Sequence, residues 1–228
     1  MTMKKAVIFD SSAIITLALS NMLYILEPLK KFFDGNFLIT SEVRREIVDV
    51  PVKQKRFELE ALLISNLIKK GILQISSPAG IEKETENAVK TGNSAFSAGN
   101  EDMRIIHEGE SSCFALATLL KEDYEVFLVI DERTARMLSE KPENLQKLFE
   151  KKLHTGIEAD NSKFSYFEGF NIIRSSELLF IAYKKGIIEL PTDSRTAVDA
   201  LLYAAKFKGC AISFDEIEGA KQLIGKSF

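Results

Sequence analysis

"VIFDSSAII", residues 7–15, passes from an apolar run of β-type residues into one carboxylate, two hydroxyls and the first turn of an apolar helix. A strand that turns straight into a helix is the opening of a crossover unit, and crossovers build parallel sheets. Four more short apolar runs follow: "NFLIT" (36–40), "ILQIS" (72–76), "VFLVI" (126–130) and "FNIIR" (170–174). Longer segments of helical period separate them. The alternation predicts an α/β fold, a three-layer, doubly wound parallel sheet covered on both faces by helices. "VFLVI" has no polar alternation, so it reads as a central strand.

Between the strands, residues 12–33 carry Ile14, Leu17, Leu23, Leu26 and Leu29 at helical spacing, with a break expected near Pro28. "SEVRREIVDV" (41–50) puts Val43, Ile47 and Val50 on one stripe and stops at Pro51. A further helix is expected over about 53–70. Residues 77–100 change character, rich in Ser, Gly and Asn around a short charged helix, and read as an excursion mobile at its Gly-containing ends. Residues 141–168 form a second inserted stretch. The C-terminal part is helical: "SSELLFIAYKKG" (175–186), "TDSRTAVDALLYAAKFKG" (192–209) and "SFDEIEGAKQLIG" (213–225), the last opening on a capping box of Ser213 with Glu216.

With 228 residues, 46% of them hydrophobic, the chain is long enough for one domain with a full core, the organisation expected over 1–228. Thirty basic against 33 acidic residues leave a charge of −3, which excludes a broad basic surface for sequence-independent nucleic-acid binding. The pairs Lys30/Lys31, Lys69/Lys70, Lys151/Lys152 and Lys184/Lys185 read as solvated helix ends favoured by the helix dipole. Cys113 and Cys210 sit among apolar residues without metal or disulfide spacing and read as reduced core thiols. No apolar run is long enough for a membrane span and the N-terminus lacks signal-peptide character, so a cytoplasmic protein without membrane contact is expected.

In a parallel sheet the loops leaving the C-terminal strand ends face one crevice, where ligands gather. Four groups of acids fall on those loops: Asp10 after the first strand, Glu42 and Glu46 four apart after the second, Glu110 before the central strand, and Asp131 with Glu132 after it. The dipole at a helix start accounts for Glu42, and Asp10 alone would serve as a helix cap. Together, however, carboxylates at one edge repel and raise each other's pKa unless a cation compensates them. Magnesium or manganese resolves that conflict and brings phosphodiester hydrolysis within reach.

The segments "AVIFDSSAIITLA", "SEVRREI", "GESSCFALA" and "FLVIDERTAR", in that order, resemble the four acidic motifs of PIN-domain nucleases. "SSELLFIAYKKGII" and "FDEIEGAKQLIG" are similar to the C-terminal part of one prokaryotic, toxin-like PIN branch. The resemblance implies a Mg²⁺- or Mn²⁺-dependent endoribonuclease, in many members the toxin half of a toxin–antitoxin pair, with RNA as substrate, an antitoxin as partner and a homodimer as assembly. A catalytically decayed PIN module for RNA or protein binding is the alternative. On the matching positions Asp10, Glu46, Glu110 and Asp131 would be catalytic metal ligands with Glu132 beside them, and Ser11 or Ser12 would support Asp10 or touch phosphate. Two departures stand out: Ser112 occupies a place where many relatives carry a second acid, and Glu132 one where many carry aspartate.

Arg133 and Arg136 follow the fourth motif and could hold phosphate or pair with acids. His107 reads as a loop histidine outside the acid cluster, His154 has no constellation around it, and Phe164, Tyr166, Phe167 and Phe170 read as core or interface rather than a base-stacking set.

Overall fold

The computed structural model describes residues 3–224, so Gly225 at the end of the last helical motif lies outside the described residues. Strand β1 (Lys4–Phe9) runs into helix α1 (Ser11–Leu19), and a short 3₁₀ turn leads to α2 (Leu26–Phe33). The helical break falls at Ser20–Met22, where Asn21 adopts φ 58°, and not at Pro28. Pro28 lies in the first turn of α2, where its missing N–H is not required.

Strand β2 (Gly35–Ile39) leads to α3 (Ser41–Arg44), which widens into a π-turn over Arg45–Asp49. That turn carries an extra residue and rotates Val50 off the Val43–Ile47 stripe, leaving it exposed while Val48 is buried in its place. Helix α4 (Glu58–Lys69) starts later than its hydrophobic pattern suggests, because Gln54–Phe57 closes a turn first. Strand β3 (Gln74–Ile75) is short.

The first excursion contains α5 (Ile81–Asn93) and the strands β4 (Phe96–Ala98) and β5 (Glu101–Asp102). Helix α6 (Glu108–Leu120) then feeds β6 (Tyr124–Val129), followed by α7 (Arg133–Glu140) and α8 (Pro142–Leu153). Strand β7 (Glu158–Ala159) and β8 (Asn171–Ile173) precede the helices α9 (Ser175–Lys184), α10 (Ser194–Phe207) and α11 (Phe214–Lys221). Ser213 and Glu216 close the capping box, with Glu216 N donating to Ser213 Oγ at 3.1 Å and Ser213 N to Glu216 Oε2 at 2.8 Å.

The five strands anticipated from apolar runs form one sheet in the order β3-β2-β1-β6-β8. Every pairing in it is parallel. Helices flank the sheet, consistent with a three-layer α/β fold. β1 occupies the middle, with Ala6, Val7, Ile8 and Phe9 all fully buried, and β6 is the interior strand beside it. The Phe9 and Phe37 rings meet at 5.0 Å across β1 and β2. Burial of each ring contributes about 1.5–3 kcal/mol, so this contact fixes the register as well as the core.

Between its Gly-containing ends the first excursion is packed on the rest of the chain. A Cβ on Gly92 would meet Ile106 Cγ2 at 2.5 Å, so α5 can approach the 105–106 segment only because this residue is glycine. Asn93 locks the approach: its Oδ1 accepts from the backbone N–H of Ile105 (2.8 Å) and Ile106 (3.0 Å), and its Nδ2 donates to Ile106 O. The two inserted stretches meet in a small antiparallel sheet of order β5-β4-β7, pairing Phe96 with Ala159 and Ser97 with Glu158. Phe96 packs on Phe149 and Phe164, while Phe114 packs on Phe167 and Phe170, so the aromatic set is core, as its sequence pattern suggests.

Among the described residues no single helix is long and apolar enough to cross a membrane. The pair Ser11–Leu19 with Leu23–Phe33 passes that test on composition but is bent by 116° and buries Ile14, Leu17, Leu26 and Leu29 in the core. Lys30 departs from the solvated role expected of it: its Nζ donates to Gly71 O and Ile72 O at 2.7 and 3.0 Å, tying α2 to the turn before β3. Cys113 and Cys210 are both free and buried.

Candidate active site

Strand order reverses direction at β1, whose neighbours are β2 on one side and β6 on the other. The crevice between the C-terminal ends of β1 and β6 is therefore the topological switch point, the place where this class of sheet binds ligands. Asp10 is the first residue beyond β1 and Asp131 the second beyond β6. Asp10 N donates to Val129 O at 3.0 Å, and Asp131 N donates to Ser12 Oγ at 3.0 Å, so the two strand ends are stitched together.

Asp10 is fully buried and caps α1: its Oδ2 accepts from Ser12 N at 3.0 Å and from the Ser12 hydroxyl. Its Oδ1 is buried with no hydrogen-bond partner among the described residues. Burial pushes the Asp10 carboxyl up to about 7, helped by the nearby charges of Glu110 and Glu46 and opposed by the Ser12 bonds. Ser12 is thus the supporting hydroxyl, spent on Asp10 and the Asp131 backbone; half-buried Ser11 beside it has no such bonds among the described residues.

Glu46 arrives from the π-turn and lays its carboxylate against Gly109, the second residue of α6. A Cβ at Gly109 would stand 2.8 and 2.9 Å from the two Glu46 oxygens. Glu110, next in the chain, bends back so that its Oε2 accepts from His107 N at 3.0 Å. Its carboxyl is raised by burial, with the charges of Glu132 and Glu46 adding to the shift against the His107 bond. Asp10, Glu46, Glu110 and Glu132 therefore share one electrostatic environment at the switch point.

Asp131 is placed differently. Its Oδ1 accepts from Ser175 N at 2.8 Å and its Oδ2 from Ser175 Oγ at 2.6 Å, which turns the carboxylate toward the start of α9 and away from a ligand role in this arrangement. Glu132 supplies the β6 loop's charge to the cluster while its Oε2 caps α7 through Ala135 N at 2.7 Å. Of the two arginines, Arg136 is committed to Glu140 and to Ala211 O, both at 3.3 Å. Arg133 is exposed at the first position of α7. His107 is exposed at the N-cap of α6, and its backbone N–H is the donor that holds the Glu110 carboxylate.

Three residues missed by sequence reasoning shape the site. Gly109 makes room for Glu46, Ser175 holds Asp131, and Thr40 caps α3 through Val43 N while bonding Ser112 Oγ at 2.7 Å. Ser112 also bonds Gly109 O at 2.6 Å and is fully buried. Thr40 could have been read as the N-cap of α3 from its place before "SEVRRE", whereas the contacts of Gly109 with Glu46, Ser175 with Asp131 and Thr40 with Ser112 join residues far apart in the chain.

The donor set, all carboxylate oxygen, suits a hard divalent cation, and the orphaned Asp10 Oδ1 is the kind of buried atom such an ion would satisfy. As the side chains stand, no group of three or more His, Cys, Asp and Glu among the described residues is arranged to hold a metal ion. Glu110 is turned back on His107 and Asp131 on Ser175, which accounts for the missing convergence. The fold and site thus define an α/β chain with a cluster of acids at its switch point. Compared with known proteins, the chain matches no family model, no curated protein and no solved structure.

Proposed function

We propose that the chain is a PIN-like, divalent-metal-dependent endoribonuclease of the cytoplasm, hydrolysing RNA phosphodiester bonds at the β1–β6 switch point. One observation carries the reading: a fully buried aspartate, with one oxygen capped and the other orphaned, has its pKa raised by burial and then by the nearby charges of Glu110 and Glu46. Removal of that repulsion by Mg²⁺ or Mn²⁺ is the simplest way to make the arrangement favourable. Asp10, Glu46 and Glu110 would hold the ion, with Glu132 adding negative charge at the rim. When bound, the ion compensates phosphate charge and lowers the pKa of a water for in-line attack.

The remaining work falls to the protein. Ser12 orients Asp10, Gly109 leaves Glu46 in place, and Arg133 is free at the α7 N-terminus to meet a phosphate. The toxin role, the antitoxin partner and the homodimer belong to the same proposal and rest on the motif resemblance alone.

A second reading, a decayed PIN-type binding module, is favoured by Ser112 being locked between Thr40 and Gly109, with no ready three-ligand group among the described residues. Cleavage of labelled single-stranded RNA with Mn²⁺, by wild type and by Asp10→Asn, separates the two. The nuclease reading expects Mn²⁺-dependent products that vanish in the variant; the same products from both proteins refute the assignment, and RNA binding without products selects the module.

A further inference from the structure

Thr40 and Ser112 are both fully buried, 72 residues apart in the chain, and their hydroxyl oxygens stand 2.7 Å from each other. The bonds around them fix which one donates. Ser112 Oγ gives its single proton to Gly109 O at 2.6 Å, so towards Thr40 it can only accept. Thr40 Oγ1 accepts from Val43 N at 3.2 Å and keeps its own proton to give. The result is one directed relay, from Val43 N–H through Thr40 and Ser112 to Gly109 O, in which each hydroxyl donates once and accepts once.

Both ends of the relay lie on elements that carry acids of the site. Val43 belongs to α3, which continues into the π-turn bearing Glu46, while Gly109 and Glu110 are consecutive in the first turn of α6. Turns of that kind occur often at functional sites. The Glu46 carboxylate lies against Gly109, and its charge is felt at Glu110. The bond that Glu110 makes, to His107 N, stays within the start of its own helix and so does not set its separation from Glu46. An ion pair of Arg45 with Glu108 at 2.9 Å also spans the two elements, but its side chains are 57% and 60% exposed, where water screens the attraction. The buried relay is the firmer tie.

Resting on the ribonuclease proposal, we infer that Thr40 and Ser112 are positioning residues for the metal site: their hydrogen-bond relay sets the separation of Glu46 from Glu110, so that the two carboxylates can share one cation with Asp10. For packing alone, an apolar pair of the same shape would serve as well and carry no desolvation cost. What two buried hydroxyls in series add is a fixed distance and direction between the elements they join. Supports one step behind the ligands orient them and tune the affinity of the site.

The test uses the full chain and reads Mn²⁺ uptake by electron paramagnetic resonance, together with metal-free unfolding in urea. Ser112→Ala leaves the Thr40 cap on Val43 N and puts a better helix former in α6, so the fold is expected to survive. It should weaken Mn²⁺ binding about tenfold, the low end of the loss when a support behind metal ligands is removed. Thr40→Val, similar in shape but without the hydroxyl, should weaken it at least as much, and Thr40→Ser, which keeps the hydroxyl, should bind like wild type. Without metal, the stability losses of Ser112→Ala and Thr40→Val should fall short of their sum in the double variant, because either one breaks the same bond. Unchanged Mn²⁺ affinity in both hydroxyl variants, when wild type binds and Asp10→Asn does not, reduces the relay to packing and overturns the inference while the nuclease proposal stands. Thr40→Ser binding as poorly as Thr40→Val, or strictly additive stability losses, also overturns it. If both hydroxyl variants lose Mn²⁺ while Asp10→Asn retains it, the positioning role stands and the Asp10 assignment falls. Wild-type protein that takes up no Mn²⁺ overturns the metal site and this inference with it.

Discussion

Asp10→Asn should make the metal-free protein more stable at alkaline pH. The Asp10 carboxyl titrates near 7 in the fold against an ordinary value of 3.8, a rise of roughly 3 units, or about 4 kcal/mol at 1.36 kcal/mol per unit. Because the folded value is the higher one, the folded state holds the extra proton between pH 3.8 and about 7, and stability falls as pH rises through that window. Above pH 7 the full cost of the buried charge is present; below pH 4 it is gone. Asparagine removes the charge and is as good a helix cap as aspartate, so the Ser12 N–H bond survives. The stabilisation at pH 8 should thus approach, and not exceed, about 4 kcal/mol, and fade to near zero at pH 4. Denaturant unfolding of both proteins in EDTA, from pH 4 to 8, gives the difference curve. A flat curve, or a variant less stable than wild type at pH 8, refutes the claim that Asp10 is a strained, uncompensated carboxylate.

Other substitutions probe the supports of the site. Gly109→Ala should keep the fold, because Glu46 is flexible, but displace its carboxylate and weaken Mn²⁺ binding about tenfold by calorimetry, equivalent to about 1.4 kcal/mol. Ser175→Ala takes the hydroxyl donor from buried Asp131 and should cost about 1–3 kcal/mol in chemical unfolding while leaving Mn²⁺ affinity unchanged. Gly92→Ala drives a methyl into Ile106 and should cost about 1–3 kcal/mol, read as a lowered melting temperature.

The apolar runs made the sheet legible because a buried parallel strand leaves few alternatives: all five pair as one sheet. Helix ends were harder to read. Asn21, a residue that adopts positive φ readily, breaks the first helix where the expectation rested on Pro28, and the π-turn at Arg45–Asp49 shifts Val50 by the one residue that decides its face. The excursions read as loose because Ser, Gly and Asn dominate them, yet Gly92 is there for close packing and Asn93 for binding backbone amides. At the site, the expectation that acids gather at one sheet edge named Asp10, Glu46, Glu110 and Glu132, and their charges do act on one another. The turning of Asp131 toward Ser175 is a contact between residues 44 apart in the chain, beyond any local pattern. Of Ser11 and Ser12, either of which the resemblance offers as a support for Asp10 or a phosphate contact, it is Ser12 that bonds Asp10, and of the two roles open to Arg136 it takes the pairing with an acid, Glu140. The rings of Phe207 and Phe214 fall on the last residue of α10 and the first of α11, where too few helical neighbours remain for the apolar stripe to assign a face.

Mn²⁺ binding followed by electron paramagnetic resonance tests the central claim most directly, because it reads the bound ion without requiring the correct RNA. Wild-type protein at pH 7.5 should take up Mn²⁺ saturably, and Asp10→Asn should lose that uptake. Saturation of neither protein at millimolar Mn²⁺, or equal saturation of both, would contradict the view that these carboxylates meet at the switch point in order to share a cation.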